Sequence, residues 1–253
     1  MTRVTTRYRE WVEADARRWR VSSRVAWWAY LLPLAALPLL AAIYYLSLEM
    51  FHLLLVEDGV AETMQVLVLA GVVIFSVASA FRLGRQGRRS AAVIYAVLAV
   101  GAVFVAIEEI SWGQRIIGLP TPDELADINR QGELNIHNIP VVEHVFALGQ
   151  FMGTFYALVV PLMVAAGLLP RLMRRLDAAL VPPLFLGGAL LVPFCYRIAR
   201  YAFLDGGSYV INRLGEYAEL TLYGAILATV WLGYRRWGME RPDDPSHSAK
   251  GLQ

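Results

Sequence analysis

One cysteine, Cys195, occurs in the 253 residues, so no intramolecular disulfide can form and no CxxC or zinc-finger spacing exists. HExxH is absent, and so are the Glu-x-x-His pairs of di-iron bundles. No GxSxG nucleophile elbow, no glycine-rich phosphate loop and no Ser-His-Asp arrangement suggests itself. Heptads and clear internal repeats are missing. Short alternating apolar segments are missing too, which excludes a closed β-barrel. No cleavable leader is expected, because the first apolar run follows a basic segment and is too long for a leader core. No nucleic acid partner is expected.

What is present is apolar surface. Hydrophobic residues make up 57% of the chain, and the mean hydropathy is +0.49. A soluble domain of this length is less apolar. Several runs approach the roughly 20 residues needed to cross a bilayer. The expectation is all-α: a polytopic membrane helix bundle of about six transmembrane helices, with the lipid bilayer as its partner. The spans fall at about Val25–Leu46, Gly59–Leu83, Ala91–Trp112, Val145–Leu169, Ala179–Tyr196 and Asn212–Tyr234. Pro33 and Pro38 lie inside the first, as membrane helices tolerate.

Three regions follow from this division. Residues 1–24 carry seven arginines with Trp11 and Trp19 among them and read as a basic amphipathic interfacial helix; a basic tail without fixed structure is the alternative. Residues 25–236 form the bundle, with a long loop at 113–145. Residues 237–253 read as a disordered tail. Within the loop, Thr121, Pro122 and Glu124 suggest a helix start, with Thr121 as N-cap, running to about Arg130.

Charge orients the bundle. The N-terminal segment, the 82–89 loop, the 171–175 loop and the 235–241 segment are rich in arginine. The 47–58 loop has neither Arg nor Lys, and region 108–144 sets seven acids against Arg115 and Arg130. By the positive-inside rule both termini are expected in the cytoplasm of a bacterial inner-membrane protein, with 113–145 outside. The exception is the 197–213 loop, where Arg197, Arg200 and Arg213 stand on the outer side.

This topology gathers the polar oddities at one face. Span two brings Asp58, Glu62 and Gln65 at i, i+4 and i+7. Span three ends in Glu108, Glu109, Trp112 and Arg115. The loop brings Glu133, Asn135, His137 and Asn138, and Glu133, Asn135 and His137 share one side if the loop is extended. Span five ends in Arg197 and Arg200. Span six begins with Asn212, Glu216, Glu219 and Tyr223 on one stripe. Charged groups at membrane depth are costly, by about 2.5–3.5 kcal/mol each on insertion scales, so they should turn inward to a shared pocket.

Three chemistries fit that set. Glu108, Glu109, His137, Glu216 and Glu219 could ligate a divalent metal (Zn, Mg, Ca or Mn). Glu62, Glu108, Glu109 and His137 could act as general acids or bases without one. Trp112, Arg115, Asn135, Asn138, Arg197, Arg200 and Arg213 could hold an anionic substrate, since guanidinium matches phosphate oxygens in bidentate fashion. Mutual pairing of the acids and arginines as structural glue is the non-functional reading. His144 reads as structural, His52 and His247 as unimportant, and Cys195 as a buried packing residue.

The pattern Glu108-Glu109-x-Ser111-Trp112-Gly113-Gln114-Arg115, followed by Asn129-x-Gln131-Gly132-Glu133-x-Asn135-x-His137-Asn138, resembles one found in a group of bacterial multi-pass membrane proteins. The resemblance covers about thirty residues and implies that they work as a unit; it carries no activity. Intramembrane CAAX-type proteases also pair two glutamates with an arginine. Their arginine spacing differs, and their histidine motifs have no counterpart here.

The leading functional expectation is an enzyme, a hydrolase or group transferase, acting on a lipid or lipid-linked substrate at the extracytoplasmic face. A proton- or cation-coupled transporter using Glu62, Glu216 and Glu219 is one alternative. A non-catalytic subunit of a membrane complex is the other.

Overall fold

The computed structural model of the chain describes residues 3–56, 59–168, 181–202 and 209–239. Among these, every regular element is a helix. Helix α1 (Arg3–Arg18) buries Val12 and Ala16 completely, with Trp19 just beyond it, so it packs on protein rather than lying on lipid alone. Its neighbours are α2 (Ser23–Leu46) and a 3-10 turn, Leu184–Leu186. The Ser22 side chain caps α2 by accepting the Val25 N–H at 3.3 Å. A short helix, α3 (Leu48–Leu55), occupies the stretch expected as loop, started by Ser47 accepting the Met50 N–H.

Helices α4 (Val60–Arg85) and α5 (Arg89–Glu109) form an antiparallel hairpin. Two single turns, α6 (Gln114–Ile117) and α7 (Asp123–Ala126), lie in the long loop. Then come α8 (Pro140–Ala165), α9 (Gly187–Ala202) and α10 (Tyr209–Met239). Five stretches are long and apolar enough to cross a membrane: Ser23–Leu46, Leu48–Arg85, Arg89–Glu109, Pro140–Ala165 and Leu184–Tyr201. The molecule is therefore a multi-pass helical membrane bundle. The sixth expected span lies inside α10, whose 31 residues reach about 46 Å at 1.5 Å per residue. Arg213, Glu216 and Glu219 make it more polar than the other five.

Several boundaries differ from the sequence expectation. The third span ends at Glu109, not Trp112, because the backbone turns left-handed at Ser111 and Trp112. Helix α8 begins at Pro140, five residues earlier than hydropathy suggests, since proline is pre-organised for a first helical turn. Thr121 does not cap α7; Pro122 stands there, and the Thr121 hydroxyl bonds across the loop instead. Trp237, assigned to the tail, is part of α10 and almost wholly buried. Cys195, expected as a buried packing residue, is exposed on its helix. Residues 240–253 lie outside the described residues.

Helix α10 is the keel, packed against α4 on one side and α9 on the other. Helices α8 and α2 both lean on α9. The α2–α9 crossing is tight at Gly188, where a Cβ would come within 1.7 Å of the Tyr30 carbonyl oxygen. At one end of the keel, cations sit on aromatic rings: Arg82 over Tyr234 at 4.3 Å, Arg88 over Trp237 at 4.2 Å and Arg235 over Trp231 at 4.9 Å. Asp15 of α1 accepts the Leu184 N–H at 2.6 Å near this end. The acids gather at the other end.

Candidate functional site

The long loop is built around one carboxylate. Glu108 is 1% exposed. Its Oε2 accepts the backbone N–H groups of Ile136 at 2.8 Å and His137 at 3.0 Å. Its Oε1 accepts the indole N–H of Trp112 at 2.6 Å. The His137 Nδ1 lies 3.4 Å from Oε2. Successive N–H groups point to opposite sides in a strand, so two on one oxygen require a turn. The loop at 133–137 is accordingly folded rather than extended.

A second layer of amides holds that turn. Asn135, also 1% exposed, donates to Ser111 Oγ and Glu133 Oε2, each at 3.0 Å. Asn129 Nδ2 donates to the Asn135 backbone oxygen at 2.6 Å, and its Oδ1 accepts the Gln131 N–H at 2.8 Å. Gln114 accepts the Leu134 N–H at 2.8 Å and donates to Thr121, which donates on to the Gly132 carbonyl. Ser111 also bonds Glu133.

This frame holds strained backbone. Ser111 and Trp112 have φ of 47° and 57°, and Gly113 follows at 73°. Left-handed backbone costs about 1–2 kcal/mol per non-glycine residue. Hydrogen bonds to a charged group return about 1.5–3 kcal/mol each. Glu108 receives three, so the strain is carried with margin.

Beneath the loop lies a cavity of about 350 Å³. Adjacent helical residues point about 100° apart, so Glu109 faces away from the loop frame and toward α10. Its Oε1 accepts the Tyr223 hydroxyl at 3.1 Å. Glu62 of α4 and Glu216 and Glu219 of α10 lie within its electrostatic reach. Gln65, fully buried, donates through Nε2 to the Glu216 backbone oxygen at 2.9 Å and to its carboxylate at 3.1 Å. Arg197 pairs with Glu219 at 3.0 Å, and Gln150 bonds both. Arg130 reaches over to Glu143 of α8 at 2.6 Å. Gly215 lets the Tyr196 ring approach α10: a Cβ there would meet its hydroxyl at 2.8 Å.

The structure brings Glu62, Glu108, Glu109, Asn135, His137, Asn138, Arg197, Arg200, Asn212, Glu216 and Glu219 to the wall of this one cavity. It does not bring Trp112 or Arg213 there. Trp112, 49% exposed as a residue, donates to Glu108, and Arg213 lies over the Tyr209 ring at 5.6 Å. Asp58 and the side chain of Arg115 lie outside the described residues. Among the described residues, no group of three or more His, Cys, Asp and Glu side chains is arranged to hold a metal ion. Glu108, expected among the ligands, has both oxygens engaged by N–H groups.

Sequence reasoning missed Gln150, Tyr196, Phe146 and Arg130 as lining residues. Gln150 carried a signal: it is a lone amide inside an apolar span. Phe146 carried none.

The wall sets seven carboxylates against three guanidiniums and one imidazole, so it is acidic on balance. Glu219 and Glu143 are answered by arginines, and Glu108 by N–H groups. The arrangement can place a carboxylate, Glu109, beside a reacting group, with Arg197 and Arg200 facing it from α9. No protein-family model matches the chain, and neither the curated proteins nor the solved structures compared with it give a match.

Proposed function

We propose that the chain is an enzyme of the cytoplasmic membrane, a hydrolase or group transferase, acting on a lipid or lipid-linked substrate at the extracytoplasmic face. The proposal includes six spans, α10 being the sixth, with both termini inside. The observation that carries the reading is one cavity holding the half-buried Glu109, the Tyr223 hydroxyl bonded to it, and carboxylates and guanidiniums on the same wall. Cavities that serve substrates are concave and let polar groups converge; this one is concave, with a wall more polar than most.

Roles differ between the two adjacent glutamates. Glu109 is the general base: it takes the proton from water or an acceptor hydroxyl as that oxygen attacks the substrate. Tyr223 orients it. Arg197 and Arg200 face the negative charge that develops on the substrate. Glu108 is a positioning residue that sets the loop and, through it, His137. His137 is placed to return a proton to the leaving oxygen.

The test is turnover in proteoliposomes made from total bacterial lipid, followed by mass spectrometry. Wild type should convert a lipid component, and Glu109→Gln should lower the rate by about 10²–10⁴-fold, the usual worth of a general base. Equal turnover by wild type, Glu109→Gln and His137→Gln would remove catalysis from the cavity and leave a structural or transport role.

A further inference from the structure

Helix α5 packs on α4, and α8 packs on α9, yet α5 and α8 touch each other only sparsely among the described residues. Both nevertheless line the cavity, α5 through Val105, Glu108 and Glu109 and α8 through Glu143, Phe146 and Gln150. Across the gap between them Phe104 stacks with Phe146, ring centroids 6.3 Å apart, and Phe146 lines the cavity. The surfaces flanking that pair are bare and apolar: Val100 is 71% exposed, and Val145 and Leu148 are 65% and 62% exposed. In a membrane bundle these face hydrocarbon.

Above the cavity the situation is opposite. The loop is tied down by Glu108, Asn129, Asn135 and Gln114. The Arg130–Glu143 pair bridges loop to α8. The roof is thus held by polar bonds, while two rings meet across the gap between α5 and α8.

We infer that the substrate's head group enters the cavity sideways from the bilayer, between α5 and α8, with Phe104 and Phe146 as the gate and the acyl chains left in the gap between the helices. This rests on the lipid reading given above and adds the route and the posture of the ligand. The lining supports it: charged and amide side chains make up most of the cavity wall, which suits a polar head group and not acyl chains. A lateral route keeps the chains in hydrocarbon, whereas entry from above would draw every methylene through water. The ligand class is an amphiphile whose polar head carries an anionic group for Arg197 and Arg200. The acidic balance of the remaining wall favours an amine on the same head.

The experiment uses the full chain in nanodiscs of phosphatidylglycerol doped with a diazirine-bearing phosphatidylethanolamine, photoactivated in the head-group region. Labelled peptides are mapped by mass spectrometry. In a Cys195→Ser background, Phe104→Cys with Phe146→Cys is closed by a short bis-methanethiosulfonate, which joins the two thiols through reducible disulfides. Closing the gate should lower labelling of the Tyr196–Arg200 and Gly215–Tyr223 segments at least tenfold, and reduction should restore it. Phe146→Trp, which narrows the gap without a crosslink, should lower it in the same direction. Cavity labelling that survives the crosslink but is lost in Arg200→Gln overturns the lateral gate and leaves the lipid reading standing. Cavity labelling absent from wild type overturns both.

Discussion

Removing the carboxylate of Glu108, itself buried, takes the acceptor from the N–H groups of Ile136 and His137 and from the indole of Trp112. Even the isosteric Glu108→Gln puts an NH₂ where one of these donors needs an acceptor. An unsatisfied buried group costs about 1–3 kcal/mol, and the strained Ser111–Trp112 turn then loses what holds it. Glu109, one residue on, is in the reverse position. It shares its surroundings with Glu62, Glu216 and Glu219, and its bond from Tyr223 needs only an acceptor oxygen, which glutamine supplies. Glu108→Gln should therefore lower the melting temperature in detergent, while Glu109→Gln should leave it equal to or above wild type, as functional groups held against repulsion commonly do. A thermal-shift comparison of the two variants decides it. If both destabilise alike, Glu109 is part of a structural ion network and the catalytic role given to it is lost.

Among the elements, hydropathy showed where helices run but not where they stop. The end of α5 at Glu109 has no proline and no glycine before Gly113; it is enforced by bonds from Asn135 and Glu133 some twenty residues downstream, which no local pattern encodes. Thr121-Pro122-Asp123-Glu124 reads as a capped start, yet the threonine hydroxyl is claimed by Gln114 and Gly132. The polar stripes on α4 and α10 were legible, because each is set by helical spacing alone. The packing of α1 was half legible: its amphipathic character is local, but the partner of Asp15 lies at Leu184. Burial raises the Asp15 carboxyl from the usual 3.8 to about 6, against the opposing pull of the Leu184 and Phe185 N–H groups, Arg18 and Trp19. The folded value lies above the unfolded one, so the protonated form favours the docked helix. That contribution is complete below about pH 3.8 and is lost as pH rises through about 6. A spin label at Thr6→Cys, an exposed position of α1, should therefore be less mobile at pH 4.5 than at pH 7.5. Asp15→Asn keeps an acceptor for Leu184 and cannot ionise, so the difference should vanish. Persistence of the same difference in Asp15→Asn would assign it to Glu10 or Glu13 instead.

The whole molecule is polarised along its axis. One end holds arginines bedded on aromatic rings, Arg82 on Tyr234, Arg88 on Trp237 and Arg236 within 6.0 Å of the Trp19 ring, together with the basic helix α1. The other end holds seven carboxylates around one cavity. Arginine clusters beside membrane spans are retained in the cytoplasm, and acids have little influence on orientation. The ring stacking also limits how far these arginines can move toward the opposite surface. Both α4–α5 and α10 run between the two ends, so a single orientation must satisfy every loop at once. With the arginine end inside, the cavity and the 110–139 loop face outward, which is what an extracytoplasmic lipid enzyme needs. Cysteine labelling in intact cells tests this in a Cys195→Ser background. Asp123→Cys, exposed on the loop, should react with a membrane-impermeant maleimide from outside, and Arg85→Cys, exposed at the arginine end, should react only after the membrane is opened. The reverse pattern would turn the cavity toward the cytoplasm. Glu109 and its neighbours would then meet the inner leaflet, and the extracytoplasmic assignment would fall while the cavity, its charges and the gap between α5 and α8 stood unchanged.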